Sequence, residues 1–108
     1  MMDVIKGLYE VALERKSTKQ EGSYTCYLFE QGLDKILKKC GEECSEVIIA
    51  AKNGKNEDTA NEICDLLYHL IVMMVESGIS MDEVEEILEQ RRQKIGNLKK
   101  FPVSDHES

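Results

Sequence analysis

Two apolar stripes at helical spacing, joined by only a few residues, constrain this chain more than any other feature. The first is Leu33, Ile36, Leu37, Cys40, Cys44, Val47, Ile48 and Ala51; the second is Ile63, Leu66, Leu67, Leu70, Met74 and Val75. Apolar residues recurring at three- and four-residue intervals share one face of an α-helix. The spacing predicts helices over 33–53 and 57–77, with Gly54 ending the first in the left-handed conformation. A link of residues 54–56 is short enough to force an antiparallel hairpin of helices.

The rest of the chain supports an all-α reading. The single proline is Pro102, and no alternating pattern is long enough for a convincing strand. Val4, Ile5, Leu8, Val11 and Ala12 form a helical stripe over 3–16. Residues 17–23 (STKQEGS) are polar and contain Gly22, so they read as a mobile loop. A short helical piece follows over 25–31, with Ser23 or Thr25 as its cap and Gly32 after it. Ser80 and Glu83 have capping-box spacing, and Ile79 with Val84 would form the hydrophobic staple. They open a last helix over 81–95, with Val84, Ile87, Leu88 and Ile95 on its apolar face. The expectation is a bundle of about five helices around a central hairpin, forming one domain over 1–96, with a tail over 97–108. Ile71, Val72 and Met73 extend the apolar surface beyond one stripe, more than a small monomer readily covers. A homodimer is expected.

Charge narrows the function classes. The chain has 108 residues and a net charge of −7, so it lacks the basic surface on which nucleic-acid binding depends. No apolar run reaches 18 residues and no signal-peptide pattern opens the chain, so neither membrane nor export is expected and a cytoplasmic protein is. Cys26, Cys40, Cys44 and Cys64 make no CxxC pair. Three of them border apolar stripes, where free cysteine acts as a small hydrophobe; a structural zinc on Cys40, Cys44, Cys64 and His69 is the weaker alternative.

The acids are placed more specifically than charge alone requires. Glu46 lies eight residues before Gly54 and Glu62 eight after; Glu43 lies eleven before and Asp65 eleven after. In an antiparallel hairpin these become two level pairs. Glu43 and Glu46 are three residues apart, as are Glu62 and Asp65, so each pair shares a helix face at the edge of the core. Four carboxylates meeting in one volume repel one another unless cations join them. Hard divalent ions such as Mg²⁺ take oxygen-rich sites of this kind. An ExxE spacing alone is common on helices; the mirrored pairs are what make a metal site credible beside a solvated acidic face.

The pattern ExxE followed by ExxD on adjacent helices resembles the all-α NTP pyrophosphohydrolase (MazG-like) superfamily. Within it, SYTCYLFEQG (23–32), KILKKCGEECSEVIIAAKN (35–53), EICDLLYHLIVMM (62–74) and GISMDEVEEIL (78–88) resemble the phosphoribosyl-ATP pyrophosphohydrolases of histidine biosynthesis. The resemblance covers residues 3–95. Cys40 and Cys44 stand where that family commonly has apolar or small residues, a change conservative in size. Many relatives carry a phosphoribosyl-AMP cyclohydrolase domain on the same chain; a stand-alone enzyme is expected here. The resemblance implies hydrolysis of phosphoribosyl-ATP to phosphoribosyl-AMP and pyrophosphate, by a dimer with sites near the subunit interface. It implies Mg²⁺ held by Glu43, Glu46, Glu62 and Asp65. The ion would activate a water for in-line attack, and its proton acceptor stays open between the ion's own water and a spare carboxylate, Glu42 or Glu43.

Several residues are candidates for the substrate. Lys39 lies on the acid face and would reach a phosphate or pair with Glu43. Lys35 and Lys52 are further cationic candidates, as are Lys38, Arg91 and Arg92, for which a solvated face is the plainer reading. Asn53 continues the acid face and either binds ligand or ends the helix. Ser23, Tyr24 and Thr25 adjoin the mobile loop and either close over substrate or cap and pack the short helix. His69 follows Asp65 by one turn and reads as a supporting residue. Two rivals remain: a house-cleaning (d)NTP pyrophosphohydrolase using the same acids, and a non-catalytic helical dimerisation or adaptor module, which leaves the mirrored acids unexplained.

Overall fold

The computed structural model describes residues 2–96, and they form α1 (Met2–Ser17), α2 (Tyr24–Gln31), α3 (Leu33–Lys52), α4 (Asn56–Ser77) and α5 (Met81–Gly96). No strand occurs among the described residues. The expected tail over 97–108 lies outside them. Helix boundaries fall within one residue of those expected from the stripes.

The antiparallel hairpin of α3 and α4 is the largest helix–helix contact of the chain. Its turn is Asn53–Gly54–Lys55, in which Gly54 has φ +72° and its N–H donates to the Ala51 carbonyl. That left-handed backbone strains any residue with a Cβ, so the glycine is what lets so short a link reverse the chain. α1 lies against α4, and α2 wedges between α1, α3 and α4. The core forms where they meet: Ala12, Ile71 and Val75 in one cluster, Leu28, Ile36 and Val72 in another, with Phe29 packed against both.

α4 ends at Gly78, whose φ is +75° and whose N–H donates to the Val75 carbonyl while that of Ile79 donates to Met74. This Schellman pattern turns α5 away from α4 at 118°. The Tyr9 hydroxyl donates to the Ile79 carbonyl at 2.9 Å and ties this turn to α1. The capping box forms in both directions: the Glu83 N–H donates to Ser80 Oγ at 3.1 Å, and the Ser80 N–H to Glu83 Oε2 at 2.8 Å. Among the described residues no single helix is long and apolar enough to cross a membrane.

Burial departs from the stripes in one respect. Leu37, Cys44, Ile48 and Ala51 on α3, Ile63 and Cys64 on α4, and Ile87, Leu88 and Ile95 on α5 are exposed, Ile48 by 63%. The reason is geometric. α2 covers only part of α3, and α5 leaves the bundle, so no element among the described residues reaches those faces.

Candidate active site

The hairpin register brings the acids together. Glu43, Glu62 and Asp65 each offer a carboxylate oxygen, and the three oxygens lie within 4.8 Å of one another. Glu46 is exposed and stands beside them, its carboxyl within hydrogen-bonding reach of those of Glu43 and Glu62. Glu43 is only 8% exposed, and its Oε2, like that of Glu62, is shielded from solvent without a hydrogen-bond partner. A buried carboxylate oxygen without a donor is costly.

The titration behaviour has the same origin. Glu62 is pushed up to about 7, first because its carboxyl shares a hydrogen bond with Glu46, then by desolvation and by the charges of Glu46, Asp65 and Glu43. Glu43 is raised chiefly by burial and then by Glu46, while His69 and Lys39 oppose the shift. Too much negative charge for the available donors is the common cause.

The donor set fits a hard divalent ion. Oxygens around one octahedral Mg²⁺, with bonds near 2.1 Å, stand about 3–4 Å apart. Small side-chain rotations would bring the three clustered oxygens to that spacing, with Glu46 in reach. The unpartnered Oε2 atoms of Glu43 and Glu62 would gain the partner they lack.

The other candidates divide. Lys39 Nζ lies 3.4 Å from Glu42 and 3.7 Å from Glu43, so it sits at the rim of the cluster and joins Glu42 to it. Tyr24 is within electrostatic reach of Lys39, Glu43 and Glu42, and burial raises its phenol pKa. Its hydroxyl meets His69 Nε2 at 3.0 Å, while His69 Nδ1 meets the Asp65 carbonyl at 2.7 Å. A carbonyl only accepts, so the imidazole carries its proton on Nδ1, and the tyrosine donates to Nε2. His69 is buried with both ring nitrogens engaged, which leaves neither for the zinc alternative. Thr25 is buried against the Tyr68 hydroxyl. Ser23 caps α2, accepting from the Cys26 N–H at 3.1 Å. Lys35 and Lys52 do not line the groove beside the cluster.

That groove, of about 340 Å³, opens between the acids and the hairpin turn. Asn53, which also ends α3, lines it together with Lys55, Asp58 and Asn61, which were not among the candidates. A signal for them existed. Extending the Glu62/Asp65 face one turn towards the N-terminus of α4 reaches Asp58 and Asn61.

These features define an all-helical protein whose active-site candidate is a carboxylate cluster carried on an antiparallel helix hairpin. The phosphoribosyl-ATP pyrophosphohydrolase family model matches residues 5–92. The chain is 59% identical over 97 residues to the phosphoribosyl-ATP pyrophosphatase of Clostridium botulinum (strain Kyoto / Type A2), covering 90% of this chain and 88% of that protein. It is 52% identical over 103 residues to that of Streptococcus sanguinis (strain SK36), covering 95% and 99%. With the protein of the same name from Clostridium novyi (strain NT) it shares 52% over 98 residues, covering 91% and 89%. The chain belongs to the phosphoribosyl-ATP pyrophosphohydrolase family.

Proposed function

We propose that this chain is an enzyme that hydrolyses phosphoribosyl-ATP to phosphoribosyl-AMP and pyrophosphate, in the cytoplasm, as a step of histidine biosynthesis, and that it works with Mg²⁺. The observation that carries the reading is the convergence of Glu43, Glu62 and Asp65, with unpartnered shielded oxygens, in a chain of this family. Glu43, Glu46, Glu62 and Asp65 would hold the metal. When bound there, Mg²⁺ neutralises triphosphate charge and lowers the pKa of the attacking water.

The protein's own groups do the rest. The hairpin fixes the carboxylates relative to one another, so little reorganisation is needed when substrate arrives. Lys39 supplies a cation at the rim, with Glu42 and Glu43 holding it there. The proton of the attacking water would go to a neighbouring carboxylate, Glu42 or Glu43, both of which also engage Lys39. Asn53 and Lys55 in the groove are placed to receive polar parts of the substrate. Ser23 and Thr25 act indirectly, by fixing α2. The working unit is a homodimer: the apolar faces of α3 and α5 that no described element covers would be buried between two copies.

The test is product identification. Purified protein with Mg²⁺ should convert phosphoribosyl-ATP to phosphoribosyl-AMP and pyrophosphate, and do so better than it turns over any dNTP. Faster turnover of a dNTP would make it a house-cleaning hydrolase instead. No pyrophosphate from any nucleotide would leave the non-catalytic module.

A further inference from the structure

The acid cluster is bordered by two chemically different surfaces. Towards the hairpin turn lies the groove with Asn53, Lys55 and Asn61, whose exposed lining is half polar. On the other side stands α2, with a row of tyrosines. The Tyr24 ring has Tyr27 at 6.0 Å with 25° between planes and Tyr68 at 6.4 Å with 26°. Tyr24 and Tyr27 remain 45% and 42% exposed. They border an open concavity of about 460 Å³, shared with the 17–23 loop, whose exposed lining is mainly apolar.

Leaving aromatic rings half in water forgoes burial that the core could supply. The hydrogen bonding nevertheless holds this pair in place. Tyr24 is anchored through its hydroxyl to buried His69, and His69 to the carbonyl of Asp65, on the helix that carries two of the acids. Thr25, which follows Tyr24, is held by Tyr68, which precedes His69. The ring is therefore fixed at the hydroxyl end, which is within electrostatic reach of Lys39 and Glu43, while part of its surface stays open. A substrate with a polyphosphate at one end and an aromatic base at the other matches these two borders.

Resting on the proposed reaction, we infer that Tyr24 and Tyr27 form a stacking face for the purine ring of the substrate, and that His69 is the positioning residue that fixes Tyr24 in it. Stacking on a tyrosine tolerates any purine and needs no metal. The polar groove is left for the phosphate end.

Aromatic NMR with adenosine in metal-free buffer tests the face directly. The chain has four tyrosines and no tryptophan, which keeps the spectrum simple. Adenosine should shift the ring signals of Tyr24 and Tyr27 but not Tyr9, whose hydroxyl is bonded to the Ile79 carbonyl beyond the C-terminal end of α4, and ribose should shift none. In turnover of phosphoribosyl-ATP, Tyr24→Leu or Tyr27→Leu should raise KM about tenfold with a smaller change in kcat. Tyr24→Phe and His69→Leu should each raise KM about threefold and not add when combined, because they break one hydrogen bond. His69→Gln, whose amide oxygen still accepts from Tyr24, should restore KM. Should Tyr24→Leu melt early, Tyr27→Leu carries the test, since Tyr27 makes no side-chain hydrogen bond among the described residues and is 42% exposed. Equal shifts at Tyr9, no shifts at all, or an unchanged KM in the leucine variants would overturn the stacking face while leaving the reaction intact. Failure of wild-type protein to turn over phosphoribosyl-ATP, with the adenosine shifts present, would remove the reaction and leave the purine face.

Discussion

Glu62 shows how one side chain reports the state of the site. Without metal its folded-state pKa is about 7, above the ordinary glutamate value. The folded protein thus holds this proton more tightly than the unfolded chain does. The stabilising contribution is present below about pH 4.5 and is lost as pH rises through about 7. Glu43, also raised, acts in the same direction. The melting temperature of metal-free wild type, relative to Glu62→Gln, should therefore fall between pH 4.5 and 7, and Mg²⁺ should reverse the loss above it. A flat difference across that range would show that the carboxyls are not crowded as described. Asp65→Asn should reduce turnover by about a hundredfold or more, since it removes a ligand charge. Its metal-free stability should be unchanged or higher, because it relieves repulsion; a structural ion pair would give the opposite result.

At the scale of elements, the hairpin makes the site. Inserting one alanine after Gly54 would rotate α4 by about 100° relative to α3. Glu62 and Asp65 would then leave the shared face, and pyrophosphate release should vanish while circular dichroism remains helical. Gly54→Ala keeps the register and should cost only about 1 kcal/mol, from the left-handed backbone, read in a denaturant melt. The hairpin and its level acid pairs were legible in the sequence because both follow from counting residues about a single turn. The anchoring of Tyr24 was not. It joins residues 45 apart in the chain and depends on where α2 wedges, which no local pattern encodes. The same holds for α5: its caps were readable, but its 118° departure is set by the Gly78 turn and by Tyr9 reaching across from α1.

The whole molecule is longer than its chain length requires. Its radius of gyration is 16.7 Å, with extents of 53 × 33 × 25 Å, against about 13 Å for a compact domain of this size. The excess comes with helices that leave apolar residues such as Ile48, Ile63 and Ile87 in solvent. Stripe reading placed such residues in a core, and a second copy of the chain would restore that placement. Light scattering at micromolar concentration should give twice the chain mass, and Ile48→Glu with Ile49→Glu should lower it towards the monomer. A wild-type monomer would contradict the dimer. The central claim is that the hairpin carboxylates hold the metal used on the triphosphate, and it is tested most directly by the Mg²⁺ dependence of pyrophosphate release from phosphoribosyl-ATP in wild type and Glu46→Gln. Wild type should show saturable activation by Mg²⁺ and none without it, and Glu46→Gln should lose nearly all turnover while melting normally in the absence of metal. Near-normal turnover by Glu46→Gln, or wild-type activity that persists in a chelator, would contradict it.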